Sequence, residues 1–156
     1  MQRTIARWLV DFDPDVTRRC YAQLAIGTGC GCDQCRNFDK AVEKAFPPEF
    51  RSLADALGLD IAKPAELCHW YREPSGLYVT GGWFHFVGSI LVGDDVMQMS
   101  GSTGTFRFEQ LVPGFEFGLG AQLALVREPF DGHPVVQLEF QTGVPWVLVE
   151  PEPSCD

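Results

Sequence analysis

The sequence predicts an α+β fold: a mostly antiparallel β-sheet, curled toward a partly closed barrel or sandwich, with a two-helix insertion in the N-terminal third. Three observations predict it. Phe38, Val42 and Phe46 recur at four-residue spacing, as on one face of a helix, and Pro47-Pro48 follows directly. After Pro64 the chain turns into short apolar runs separated by Gly, Pro or Asp turns. Helices do not recur between those runs, which disfavours a doubly wound parallel sheet.

Taken in order, Thr4 to Phe12 is an apolar first stretch, closed by the turn-forming Asp13-Pro14-Asp15. Cys20, Ala22, Leu24 and Ile26 then alternate with Arg19, Tyr21 and Gln23, the period of a half-buried strand, although a helix over Val16 to Ile26 also fits. Gly27 and Gly29 favour a strand leaving its sheet. A helix is expected over Asn37–Phe46. A second opens at Pro48, turns Phe50, Leu53, Ala54 and Leu57 inward and stops at Gly58. Strands are expected at Leu67–Arg72, Leu77–Val79, Trp83–Val92, Thr105–Leu111, Ala121–Arg127, Val135–Gln141 and Trp146–Val149, with a hairpin turn at Asp131-Gly132.

With 156 residues the chain suits one domain, assigned to 1–150, and 151–156 reads as a flexible acidic tail. The start lacks the apolar core of a signal peptide, and no apolar run approaches the ~18 residues of a membrane span. A cytoplasmic location is therefore expected, where a reducing environment argues against a disulfide framework. Net charge is −9, and −6 of it lies beyond Phe106. Such a surface suits neither nucleic acid nor an anionic membrane. A basic protein or peptide is the partner class it would fit.

The feature furthest from what packing requires is Cys30-Gly-Cys32-Asp-Gln-Cys35. Cys32 and Cys35 have the Cys-x-x-Cys spacing that brings two sulfurs to one metal from a single turn. Cys30 joins them if Gly27, Gly29 and Gly31 let the backbone fold back. Structural zinc wants four ligands, so the remainder must come from elsewhere. Cys68-His69 and His85 are the candidates, with Cys20 next. Cys68 and His69 are adjacent, so on a strand they face opposite sides and only one can join. The metal set assigned is Cys30, Cys32, Cys35, Cys68 and His85, and the ion is zinc. On a strand His85 shares a face with Trp83 and opposes Phe84 and Phe86, which also suits a satisfied core histidine.

Thiol redox chemistry is the competing reading. Cys35 lies at or just before a helix N-terminus, whose dipoles stabilise a thiolate. Strand, loop, Cys-x-x-Cys and helix in that order resemble the way thioredoxin-like proteins present their thiols, which implies a thiol–disulfide exchange by Cys32 and Cys35. The resemblance is confined to that local order, since here a second helix and β-hairpins follow. Asp33, between the two cysteines, opposes thiolate formation. Copper chaperones share the Cys-x-x-Cys, but the rest of their ferredoxin-like pattern is not visible.

Other motifs carry less. No Gly-x-Ser-x-Gly elbow occurs, Ser100-Gly-Ser-Thr-Gly104 has no P-loop lysine after it, and Gly118-Leu-Gly120 lacks a third dinucleotide-binding glycine. These read as a hairpin connection and a bend. Asp94-Asp95 reads as a solvated turn and His133 as an exposed loop tip. In a closed barrel, Trp83, His85 and the recurring phenylalanines would line an apolar pocket. The expected function is a small protein with a zinc knuckle, binding or regulatory rather than catalytic. The alternatives are a thiol–disulfide oxidoreductase and an acidic protein that binds a basic partner.

Overall fold

The computed structural model describes residues 1–153, and the last three residues of the expected tail, Cys155 among them, lie outside the described residues. Nine strands and three helices are present among the described residues. The first two strands, β1 (Gln2–Ile5) and β2 (Trp8–Phe12), form a hairpin in which Ile5 faces Trp8. Trp8, Val10 and Phe12 are buried while Leu9 and Asp11 are not, the alternation of a strand with one covered face.

The next element corrects the sequence reading. Pro14–Ala22 is a helix, α1, not a strand. Asp13 caps it by accepting from the backbone N–H groups of Asp15 and Val16, and Pro14 occupies the first turn, where its missing N–H costs nothing. Thr17, Cys20 and Tyr21 form its buried face, so three helices are present rather than two. The two expected helices follow as α2 (Asp33–Ala45) and α3 (Pro48–Leu57). The first starts earlier than its apolar spacing suggested. Gly58 ends α3 at φ 80, and a Cβ there would overlap the carbonyl oxygen of Pro14.

The remaining strands are β3 (Glu66–Arg72), β4 (Tyr78–Val92), β5 (Met97–Ser100), β6 (Thr103–Phe106), β7 (Glu109–Val112), β8 (Phe115–Gly120) and β9 (Val135–Val144). Every pairing is antiparallel. The main sheet runs β1-β2-β4-β9-β8-β7, with β3 also on β4, and β5-β6 is a separate hairpin. The sheet is open among the described residues, so the expected barrel closure is not seen. The long β4 fuses the two runs expected at Leu77–Val79 and Trp83–Val92. It pairs with β3 through its first half and β2 through its last, while β9 takes its other edge.

Three expected strands differ. Ala121–Arg127 is irregular because its backbone donors go to side chains: Ala121 and Gln122 to Asp95, and Ala124 to Gln137. Trp146–Val149 is irregular because Asn37 of α2 takes the Val147 N–H and donates to the Pro145 carbonyl. Thr105–Leu111 is broken between Phe106 and Glu109, the first part pairing with β5 and the second with β8. Asp131-Gly132 follows a short 3-10 turn at Glu128–Phe130 within the long β8–β9 connection, not a two-residue hairpin. The start of the tail is tied down, since Glu152 accepts from Arg72 and from the Tyr78 hydroxyl.

The two faces of the sheet differ. Phe84, Phe140, Phe115, Phe117, Leu119 and Leu138 point to the helices, where Phe46 lies 5.1 Å from Phe140 and Phe50 lies 4.6 Å from Phe115, ring to ring. The other face carries Trp83, His85, Gln137 and Glu139, where Trp83 donates to the Ala124 carbonyl and His85 meets Phe130 of the 3-10 turn. Val96 sits where a Cβ of Gly118 would be, and Asp95 over Gly120.

Candidate metal centre

The segment between α1 and α2 buries little apolar surface, with Ala25 and Ile26 exposed and Leu24 half-buried. The Gly27 N–H donates to the Ala62 carbonyl at 2.8 Å, and Gly27 and Gly29 take φ of 76 and 82. Side chains avoid that left-handed region, so two of the three glycines do bend the chain, while Gly31 does not need it. The bend places the Thr28 hydroxyl under the Cys30 N–H at 3.3 Å and 4.0 Å from the Cys35 sulfur.

Cys32 is the N-cap of α2, and its Sγ accepts from the Cys35 N–H at 3.4 Å. The i to i+3 geometry of a cap is what brings Cys32 and Cys35 together. With Cys30 folded back, the three sulfurs lie within 4.8 Å of one another. Cys30 and Cys32 are exposed and Cys35 is 5% exposed. Cys20, Cys30, Cys32, Cys35 and Cys68 are all free thiols.

The three sulfurs are not equivalent. Burial raises the pKa of Cys32, but the Cys35 N–H, the Cys30 and Cys35 thiols and the Gln34 N–H together outweigh it, so the thiol is held below its ordinary value. Cys35 moves the other way. Burial, donation of its proton to Cys32 and Cys30, and the neighbouring Cys32 charge push it up to about 12. Of the two, Cys32 is thus the easier to ionise.

A further donor stands beside Cys35: His69 on β3, with Nε2 3.5 Å from its sulfur. Of the adjacent pair Cys68-His69, the structure brings the histidine. The reason is the pairing of β3 with β4. His69 faces Thr80 and Cys68 faces Gly81, so His69 shares the helix-side face with Phe84, where α2 packs. Cys68 and His85 point to the opposite face. His85 is fully buried there, its Nε2 3.0 Å from Gln137 Oε1, and Cys20 donates to the Pro129 carbonyl at 3.0 Å. Among the described residues only Cys30, Cys32 and Cys35 form a metal-sized group. Cys68 and His85, expected to complete the set, are not part of that group.

No protein-family model matches the chain, and neither a curated protein nor a solved structure matches it. The functional reading rests on this geometry. Three thiols at close range suit a soft cation, or exchange between an exposed and a buried thiol.

Proposed function

We propose that Cys30, Cys32 and Cys35 hold a zinc ion and that the protein's role is binding or regulation rather than turnover. The convergence of three free sulfurs within 4.8 Å carries this reading. A tetrahedron with Zn–S of about 2.3 Å sets sulfurs about 3.8 Å apart, so the thiols need to close by only a small amount. The ion would fasten the segment before α2 to the helix it caps. That segment has few buried apolar groups of its own.

Elemental analysis of protein purified without added metal tests the reading. About one equivalent of zinc is expected, and Cys32→Ser should lose it. A zinc-free protein that also refuses zinc on titration would sink the proposal.

A second reading has its own support in the asymmetry of Cys32 and Cys35. An exposed thiol with a lowered pKa next to a buried one with a raised pKa is the arrangement a nucleophile and a resolving thiol need. Iodoacetamide labelling of metal-free protein without denaturant distinguishes it: one fast, acidic thiol at Cys32 supports exchange chemistry. The third reading, a basic partner for the acidic last third, has fewer free carboxylates than the sequence suggests. Glu109, Glu150 and Glu152 pair with Arg7, Arg36 and Arg72, and Glu139 is buried.

A further inference from the structure

We infer that His69 is the fourth ligand of this centre, through Nε2, so that the ion is held by three thiolates and one imidazole and bridges α2 to β3. The inference rests on the metal reading above and deepens it. A zinc tetrahedron with Zn–S of about 2.3 Å and Zn–N of about 2.0–2.1 Å sets sulfur and nitrogen about 3.6 Å apart. Cys35 Sγ and His69 Nε2 are 3.5 Å apart.

The ring is also oriented for the task from behind. His69 Nδ1 lies 3.5 Å from the Thr80 hydroxyl oxygen, and Thr80 is 1% exposed. That hydroxyl also reaches the Tyr78 carbonyl at 3.5 Å, and with its proton there it accepts from His69. In that arrangement the ring proton sits on Nδ1 and the lone pair of Nε2 faces sulfur. Metal-bound histidines are ordinarily held this way, by an acceptor on the remote nitrogen.

Binding a divalent ion displaces the thiol protons, which leave to solvent, so uptake is coupled to proton release. The ion also fixes a sheet edge, because β3 has β4 as its one strand partner among the described residues.

The test uses the full chain, stripped of metal under reducing conditions and titrated with cobalt(II) as a coloured substitute for zinc. Wild type should take up one equivalent with tetrahedral absorption and thiolate-to-metal bands. His69→Ala should weaken cobalt binding about a hundredfold or more, and Thr80→Val about tenfold, the range for lost ligand support. His69→Cys should restore tight binding with thiolate-to-metal intensity raised by about a third, four sulfurs replacing three. If His69→Ala does not fold, His69→Cys carries the decision. Affinity within about threefold of wild type and an unchanged spectrum in His69→Ala, or an unchanged spectrum in His69→Cys, overturns the inference and leaves the three-thiol reading intact. Wild type without thiolate-to-cobalt bands overturns the three-thiol reading itself.

Discussion

The molecule holds two clusters of potential ligand atoms on opposite faces of one sheet, and they are built in opposite ways. On the helix side, the sulfurs of Cys30, Cys32 and Cys35 lie within 4.8 Å of one another, and the His69 imidazole stands 3.5 Å from the Cys35 sulfur. On the other side, His85, Gln137 and Glu139 form a chain in which most polar atoms are already occupied. Gln137 Oε1 accepts from the Ala124 N–H at 2.8 Å and lies 3.0 Å from His85 Nε2, while its amide donates to Glu139. Only His85 Nδ1 is left without a partner. A histidine is available to a metal when its lone pair meets other soft donors whose protons an ion can displace, and is a structural element when a neighbour already uses it.

The largest expected effect is on the thiol side. If the ion is bound, a chelator at neutral pH should lower unfolding stability by the binding linkage, about 4 kcal/mol at zinc a thousandfold above the dissociation constant. Cys32→Ser should remove this sensitivity. His85→Ala should keep it. Denaturant melts with and without chelator, on these three proteins, check the contrast, and a chelator response lost in His85→Ala would erase it.

Next comes the pH response of the other face. Burial raises the carboxyl of Glu139 from 4.5 to about 7, against the Gln137 hydrogen bond that favours the ion and with help from the Asp95 charge. The folded chain therefore keeps a proton that the unfolded chain releases. Stability from the neutral acid is complete below pH 4.5 and is lost as pH rises through about 7. The separation corresponds to at most about 3 kcal/mol. Glu139→Gln, which cannot ionise, should flatten the fall between these limits in melts run at matched ionic strength. A fall of undiminished slope would place the titration elsewhere.

The same contrast explains what could be read from residue order alone. The thiol cluster was readable because its determinants are local: two glycines that bend the chain, a capping cysteine, and a second cysteine one turn on. Helices α2 and α3 were readable because Phe38, Phe46, Pro48 and Gly58 mark a face and two ends. The first helix was not, because Cys20, Ala22, Leu24 and Ile26 happen to alternate, while the stronger signal was Asp13 capping and Pro14 opening a turn. The irregular Ala121–Arg127 and Trp146–Val149 segments mimic strands in composition, and only the long-range donors and acceptors of Asp95, Gln137 and Asn37 claim their backbones. The fourth ligand needed the register of β3 on β4. Part of that was accessible, since His85 opposing Phe84 and Phe86 already turns it away from the aromatic face on which helices pack.

A smaller effect is expected from His85→Ala on stability alone. The ring is fully buried beside Phe130, at 6.1 Å between centroids, and supplies a partner to Gln137. Truncation leaves that amide oxygen with the Ala124 N–H as its remaining donor and opens space, a loss of about 2–3 kcal/mol. Metal content should not change. Loss of zinc in a folded His85→Ala protein would join the two clusters into one.

The smallest effect should come from Cys68→Ser, and it is the sharpest test of which face matters. Cys68 is next to His69 in sequence, so any account based on proximity along the chain makes the two comparable. The pairing of His69 with Thr80 and of Cys68 with Gly81 separates them by the full thickness of the sheet. Burial, with the charges of Glu66 and Glu139 added, raises the pKa of Cys68 on that face. Cys68 is also partly accessible to solvent, so a serine hydroxyl there can still be hydrated. Cys68→Ser should therefore keep one equivalent of metal and shift stability by less than about 1 kcal/mol, as surface substitutions do. Metal lost from Cys68→Ser but retained in His69→Ala would reverse the register that places the imidazole, rather than the thiol, against α2.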